Sequence, residues 1–356
     1  MAERMKIVAV TGERKAEVIE IDKPVPGRDQ VLVKISGCGI CTFEQRVYLQ
    51  VAKMKLPFAG GHEIVGRIDA LGEGVDPKEY PLGQKVVART MKACGECYYC
   101  RHGQPNMCVK KSSKFNADTI QPAGLGQYIA LDLAQIYKVP ETLTDERAVI
   151  AEPLACVVNS IERGQIHLGD DVVILGGGIM GVLHMLCAKL RGARVILSEP
   201  NPVRAKNAKE LGADIVINPK EVDPVAEVRR ITGRGADVVF NTISVPAVAK
   251  QAIEMTAPLG RCVIYTSMHP NTPIEVDPGW IHNSQVTITG AVSPSIESFY
   301  TSAALLSKGL IDIDRMVSEK IPYTRPIEAF EAAIRPDTYR VMMTFRGKGE
   351  KTCCFP

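Results

Sequence analysis

From about Asp170 onward, a short aliphatic run is followed again and again by a helix-length stretch, and this alternation restricts the fold more than any other feature. VVILGG precedes 179–191, RVILSE precedes 202–211, DIVIN precedes 223–232 and DVVFNT precedes 246–256, before the closing runs RCVIYT and VTITGAV. Parallel strands are joined by crossovers long enough for a helix, so the pattern predicts a doubly wound α/β sheet with helices on both faces. Upstream, from Lys6 to about Val139, the apolar runs MKIVAV, VLVKI, EIVGRIDALG, KVVART, YIAL and IYKVP are short and punctuated by Gly and Pro, which reads as antiparallel β structure. Beyond Val292 come helical patterns at about 296–308 and 326–335 and a last strand, YRVMMTF, none of which continues the alternation. The tail is therefore expected to rejoin the first domain. The expected organisation is 1–155 and 294–356 as one β-rich domain, with 156–293 inserted and a helix near Leu154–Ile161 at the join.

The 356 residues suffice for two domains. Their 43 Lys+Arg against 40 Asp+Glu give a net charge of +3, too small a field to gather nucleic acid or an anionic membrane. The longest apolar stretch, Val172–Ala188, is broken by four glycines and His184, and no signal-like apolar run opens the chain, so neither membrane spanning nor secretion is expected. Eleven cysteines, an odd number, preclude complete disulfide pairing and point to the reducing cytoplasm. The terminal pair Cys353 and Cys354, in CCFP, superficially matches a lipidation box but lacks a usual last residue and a polybasic lead, so it reads as a frayed end.

VVILGGGIMG places Gly176-x-Gly178-x-x-Gly181 directly after a strand and before a helix. Gly176 permits the tight turn, Gly178 lets a pyrophosphate come close, and Gly181 packs helix on strand, while the backbone of Ile179 and Met180 opens a helix whose N-terminus favours phosphate. Glu199 ends the second strand, where a carboxylate accepts from the ribose hydroxyls of NAD and repels a 2′-phosphate. Arg204, five residues on, could approach that phosphate, so NAD is favoured over NADP without excluding it.

Cys94-x2-Cys97-x2-Cys100-x7-Cys108, with Gly95 and Gly103 between, sets four soft ligands on one short lobe at about 92–110, as a closed structural zinc site requires. Disulfides or an iron–sulfur cluster are the weaker alternatives. A second, dispersed set comprises Cys41, His62 and Glu63 in GGHEIVG, and Glu152 in AEPLAC: one sulfur, one imidazole and two carboxylates, the donor mix of an open catalytic zinc site. Taken singly, each has an ordinary structural explanation. Cys38 could pair with Cys41 as a redox couple, but nothing thioredoxin-like surrounds them, and it reads as structural.

CGIC (38–41), GGHEIVG (60–66), CGECYYCRHGQPNMC (94–108), AEPLAC (151–156) and GGGIMG (176–181), in this order and spacing, resemble the zinc-dependent medium-chain dehydrogenase/reductases, in particular their sorbitol-like polyol branch. The resemblance implies a Rossmann domain inserted into a GroES-like catalytic domain. It implies Cys41 and His62 as ligands of a catalytic zinc, with Glu63 and Glu152 either ligating it or holding its water. Glu44 matches the acid that orients the zinc-bound histidine. Thr242, Ile243, Thr266, Ser267 and Val292 match cofactor contacts at strand ends, Arg340 matches a position that reaches the pyrophosphate, and a homodimer or homotetramer is implied. One position departs: the family's hydroxyl two residues after the cysteine is Phe43 here, leaving Thr42, or a water with Glu63 or Glu152, to move the proton.

The function expected is oxidation of a secondary alcohol, of polyol, sugar-alcohol or cyclitol type, with zinc as Lewis acid and hydride passing to NAD. The alternatives are a reductase of carbonyl or C=C substrates that lacks the relay, and a non-catalytic dinucleotide-binding protein. Arg46, Lys53, Lys55 and Arg89 could select an anionic substrate, though each reads first as a solvated surface charge.

Overall fold

The structure, a computed structural model, describes residues 3–110 and 120–345; Cys353 and Cys354 lie outside the described residues. The chain divides into two compact units, Met1–Glu152 with Ser302–Pro356, and Pro153–Thr301.

In the first unit, β1 (Arg4–Gly12) and β2 (Lys15–Asp22) form an antiparallel hairpin. The strand β3 (Gln30–Gly39) is the hub of the larger sheet. It leads into the helix α1 (Thr42–Tyr48) and pairs antiparallel with β4 (Glu63–Leu71), which in turn pairs with β5 (Lys85–Ala88). The cysteine lobe follows β5 and carries one short helical turn, α2 (Tyr98–Arg101). β6 (Tyr128–Asp132) pairs with β3 and β7 (Ile136–Lys138) pairs with β5, after which α3 (Asp145–Ala148) and α4 (Ala151–Gly164) lead out of the unit. The inward faces of these strands supply Val8, Val33, Ile35, Ile64 and Ile129 to one apolar core.

The second unit is a six-stranded sheet of β8 (Asp171–Leu175), β9 (Arg194–Ser198), β10 (Ile215–Ile217), β11 (Ala236–Asn241), β12 (Thr256–Ile264) and β13 (Thr287–Gly290). All neighbours run parallel, in the order β10-β9-β8-β11-β12-β13. The connecting helices are α5 (Ile179–Leu190), α6 (Pro202–Glu210), α7 (Pro224–Thr232), α8 (Pro246–Glu254) and α9 (Pro278–Ser284). This is the Rossmann order, with its reversal point between β8 and β11, where open α/β sheets bind their ligands. Strand and helix limits here follow the alternation expected from sequence to within a few residues, because strands buried on both faces read as unbroken aliphatic runs. β12 is the exception: it begins at Thr256, ahead of the expected RCVIYT.

The helix α10 (Ile296–Ser307) is continuous, and the boundary between the units falls inside it rather than before it. The first unit then ends with β14 (Val317–Pro322), α11 (Pro326–Ala333) and β15 (Arg340–Thr344). β14 was not legible in the sequence, since its alternating polar and half-buried residues sit at a sheet edge. β15 lies antiparallel to β3, pairing Met342 with Gly39, while Gly39 also pairs with Glu63 on the opposite side. The start of β4 and the start of β15 thus flank the end of β3. Among the described residues no helix is long and apolar enough to cross a membrane.

Candidate active site

Cys41 is the N-cap residue of α1, in extended conformation, immediately beyond the end of β3. One turn into that helix Glu44 is buried, and its Oε1 accepts from the Gly61 amide at 2.9 Å and meets His62 Nδ1 at 3.0 Å. Burial alone would raise the Glu44 pKa, but the charge and hydrogen bond of His62 and the Gly61 amide outweigh it and hold the carboxyl below its usual range. With Nδ1 committed to Glu44, the ring of His62 turns Nε2 towards a ligand, the carboxylate–histidine arrangement that fixes a metal-binding tautomer. For His62 itself burial lowers the pKa, and the neighbouring Glu44, Cys41 and Glu152 more than reverse this, raising it well above 6.5.

The ligand atoms of Cys41, His62 and Glu63 all lie within 4.8 Å of one another, so one cation could touch all three. Glu152, in the first turn of α4, stands outside this cluster although its charge reaches both His62 and Glu63. Glu63 is fully buried; its pKa is pushed up to about 7 by burial, with Glu152 and Glu44 adding to the shift and Arg340 and His62 opposing it. The close approach of this carboxylate to β3 needs a glycine there, because a Cβ on Gly39 would sit 2.1 Å from Glu63 Oε2.

Arg340 corrects an expectation. Matched to a pyrophosphate contact, it is instead 2% exposed, with Nε 2.8 Å from Glu63 Oε2 and Nη1 donating to the Ile40 carbonyl at 3.0 Å. The Nε–Oε2 approach is close but misaligned for a hydrogen bond, so it is an ion pair held by charge rather than by direction. No local pattern marks this role, since Glu63 and Arg340 are brought together only by the β4-β3-β15 pairing. Arg89 departs as well: it is 3% exposed, not a solvated charge, whereas Lys53 and Lys55 are exposed as that reading requires. Phe43 sets its ring edge-on to Phe58 at 5.9 Å and packs against the core of the unit, and the Thr42 hydroxyl lies 3.8 Å from Cys41 Sγ.

Cys94, Cys97, Cys100 and Cys108 converge within 4.8 Å. The Sγ–Sγ separations of 3.5 Å (Cys94–Cys108) and 3.9 Å (Cys94–Cys100) bracket the edge of roughly 3.8 Å that a tetrahedron with Zn–S bonds of about 2.3 Å demands. They are far too long for disulfides, which are about 2.05 Å. Amides of Cys94 and Cys97 also point at the Cys108 and Cys94 sulfurs, both at 3.4 Å, as suits thiolates.

In the second unit the glycine loop follows β8. Gly176 has φ +106°, and a Cβ on Gly181 would sit 1.9 Å from the Gly176 carbonyl oxygen, so helix and turn close only with glycine at both. Gly178 is the N-cap residue of α5, whose first residues are Ile179 and Met180. Glu199, at the end of β9, is 5% exposed; its Oε2 accepts from the Gly177 amide and its Oε1 from the Asn201 amide, each at 2.7 Å. Arg204 on α6 brings Nη1 to 3.8 Å from where a Gly178 Cβ would be. Thr242 donates to the Leu175 carbonyl at 2.7 Å and Ile243 packs beside Gly176, while Thr266, Ser267 and Val292 follow β12 and β13 on the same sheet.

The "Zinc-binding dehydrogenase" family profile matches residues 180–308, and that of the "Alcohol dehydrogenase GroES-like domain" matches residues 27–141. L-threonine 3-dehydrogenase of Pyrococcus horikoshii is 33% identical over 339 residues, covering 93% of this chain and 95% of that protein. The chain belongs to the zinc-dependent alcohol dehydrogenase superfamily. Sorbitol dehydrogenase of Halalkalibacterium halodurans is 29% identical, covering 92% of this chain and 95% of its own. Among solved structures, the short chain alcohol dehydrogenase of Escherichia coli CFT073 complexed with NADH superposes with a TM-score of 0.88 at 26% identity, over 97% of this chain and all of that one. As a superfamily member the protein is an oxidoreductase, with a GroES-like unit, a Rossmann unit and a cysteine lobe suited to zinc.

Proposed function

We propose that this dehydrogenase oxidises a secondary alcohol of polyol, sugar-alcohol or cyclitol type to the ketone, with NAD as hydride acceptor. The convergence of Cys41, His62 and Glu63 carries this reading. Zinc, when bound there, supplies Lewis acidity towards the carbinol oxygen and so eases loss of its proton near neutral pH. Glu44 keeps His62 in the tautomer that offers Nε2, and the Gly61 amide keeps Glu44 in place. Arg340 offsets the charge of Glu63 and so lets its carboxylate stay buried beside Cys41 and His62. Thr42, beside Cys41, offers the hydroxyl that Phe43 lacks. The Glu199 carboxylate, fixed by two amides, supports NAD through the ribose hydroxyls, and Arg204 is the group through which NADP would compete.

Names of relatives support the polyol class, sorbitol dehydrogenase and D-arabitol-phosphate dehydrogenase among them, while L-threonine 3-dehydrogenase makes an amino alcohol the competing substrate. The family resemblance supports a homodimer or homotetramer, and the thiol clusters support a cytoplasmic setting. The test is a panel of polyols, cyclitols, sugar phosphates, amino alcohols and 3-hydroxy acids with NAD and with NADP, run beside Cys41→Ala. Reduced-cofactor formation by the wild type and its loss in C41A are expected; unchanged turnover in C41A refutes the zinc chemistry. A second reading, reduction of a carbonyl or C=C bond without zinc chemistry, is favoured by Phe43 alone, and two tightly held zinc ions per chain rather than one would dismiss it.

A further inference from the structure

Along α4 the residues Leu154, Val157, Val158 and Ile161 are buried, as a helix packed on a sheet requires, yet Asn159 among them is buried too, at 8% exposure. The helix lies hard against the Rossmann sheet: a Cβ on Gly164 would sit 2.5 Å from Phe240 Cζ of β11, and Ser160 Oγ is 2.9 Å from His184 Nε2 of α5. A buried amide side chain persists where its hydrogen bonds are made. Asn159 Nδ2 donates to the Ser293 carbonyl at 2.9 Å and approaches the Val292 carbonyl at 3.4 Å. Carbonyls only accept, so these partners fix which end of the amide faces them.

Both carbonyls belong to the turn that follows β13, and that turn has an uncommon backbone. Ser293 has φ +54°, in the left-handed region, although it precedes Pro294 and a residue before proline is normally driven to extended backbone. The Ala291 amide donates to the Ile264 carbonyl at 3.2 Å and the Ser298 amide to Ser295 Oγ at 2.9 Å, so the turn is pinned at both ends. Between these anchors the Val292 side chain is 53% exposed. The C=O and N–H of a trans peptide point in opposite directions, so with the Val292 carbonyl turned to Asn159 the Ser293 amide is turned away from α4. Pro294 has no amide hydrogen, which leaves Ser293 with the one N–H of the two peptides that Asn159 holds.

The place of this turn on the sheet suggests what it meets. The glycine turn after β8 suits a pyrophosphate, and Glu199 at the end of β9 suits the adenosine ribose. A dinucleotide seated in that way extends its nicotinamide half across the ends of β11, β12 and β13, on the other side of the reversal point. We propose that Asn159 is a positioning residue for the nicotinamide: by holding both carbonyls it keeps the 292–293 turn in its left-handed form, and so presents the Ser293 N–H and the Val292 side chain to the carboxamide end of the cofactor. The proposal rests on the dinucleotide reading of the Rossmann unit.

The test uses the full-length wild type, Asn159→Leu, which fills a similar volume without a donor, Asn159→Asp, which keeps the shape and removes the N–H groups, and Val292→Trp. Each is titrated calorimetrically with NADH and with ADP-ribose, which lacks the nicotinamide; NADPH and 2′-phospho-ADP-ribose replace them if the wild type binds NADPH more tightly. Both Asn159 variants are expected to weaken NADH about tenfold and to leave ADP-ribose within about twofold of the wild type, the size of one hydrogen bond lost at the far end of the ligand. Equal weakening of the two ligands would reduce Asn159 to packing, and unchanged NADH affinity would make the turn independent of it; either result overturns the proposal. Asn159→Asp decides alone if Asn159→Leu does not fold. Val292→Trp probes the underlying reading separately: it should weaken NADH and spare ADP-ribose, and wild-type NADH affinity in that variant would remove the turn from the cofactor site and the proposal with it.

Discussion

Arg340 and Glu63 form an ion pair of 2.8 Å with both partners at most 2% exposed, and Glu63 is at the same time a member of the cluster with Cys41 and His62. Charges so buried tolerate loss of the pair better than loss of one member, which leaves the other uncompensated. Arg340→Met should therefore destabilise the protein by about 3 to 5 kcal/mol, and the double variant Arg340→Met/Glu63→Gln by clearly less than the two single effects added. Heat unfolding of the four proteins at one pH checks this, and strict additivity would show that the two side chains are not coupled.

Gly39 is predicted to be irreplaceable for a steric reason. Its missing Cβ is the space Glu63 Oε2 occupies, at 2.1 Å from the ideal Cβ position. Gly39→Ala should displace the carboxylate and cost the chain its catalytic zinc while sparing the lobe zinc. Metal analysis of the purified variant reads this directly: one zinc per chain is expected, and two would contradict it.

The two thiol clusters should lose metal independently. Cys41→Ser is expected to remove only the metal of the Cys41–His62–Glu63 cluster, and Cys100→Ser only that of the lobe. The lobe has little regular structure besides α2, so Cys100→Ser should also make 92–110 protease-sensitive, because metal binding there supplies folding free energy. Limited proteolysis with mass mapping tests this, and protection equal to the wild type would argue for a lobe that folds without metal.

His184 predicts a pH dependence of stability in the Rossmann unit. It is fully buried, with Nδ1–H donating to the Met180 carbonyl at 2.7 Å and Nε2 accepting from Ser160 Oγ at 2.9 Å. Burial pushes its pKa down to about 4, from 6.5 for the free group. The unfolded chain takes up the proton first as pH falls, so the contribution is whole above pH 6.5 and is lost between there and pH 4, about 3 kcal/mol in all. His184→Gln should flatten the unfolding-temperature profile across that window, and a variant profile parallel to the wild type would exclude the assignment.

Cofactor choice should turn on Glu199 and Arg204. Glu199→Ala removes the carboxylate that Gly177 and Asn201 hold in place, and should weaken NADH binding and narrow its advantage over NADPH. Arg204→Ala should weaken NADPH more than NADH. Calorimetric titration of both cofactors against the two variants decides it, and a Glu199→Ala protein that binds NADH as tightly as the wild type would remove Glu199 from the ribose site.

Much of the fold was legible in the order of residues because its signals are local. A strand buried on both faces is a short aliphatic run, a glycine turn before a helix is GGGIMG, and a lobe closed by one metal is four cysteines within fifteen residues. Each depends on neighbours along the chain, so periodicity and spacing suffice. Edge strand β14 escaped because an exposed edge needs no apolar pattern, and the second junction escaped because α10 runs through it unbroken.

Tertiary structure alone decided where the buried charges belong. Arg340 and Arg89 carry no mark in the sequence that separates them from solvated arginines, and a charge is assigned its role only by the low-dielectric surroundings and the partner it finds there. For Arg340 that partner is Glu63, delivered by the pairing of β4 and β15 on either side of β3. Residues near one another in sequence fixed the architecture and marked the four lobe cysteines, whereas Cys41, His62 and Glu63, and the charge balance around them, meet only once the chain has folded.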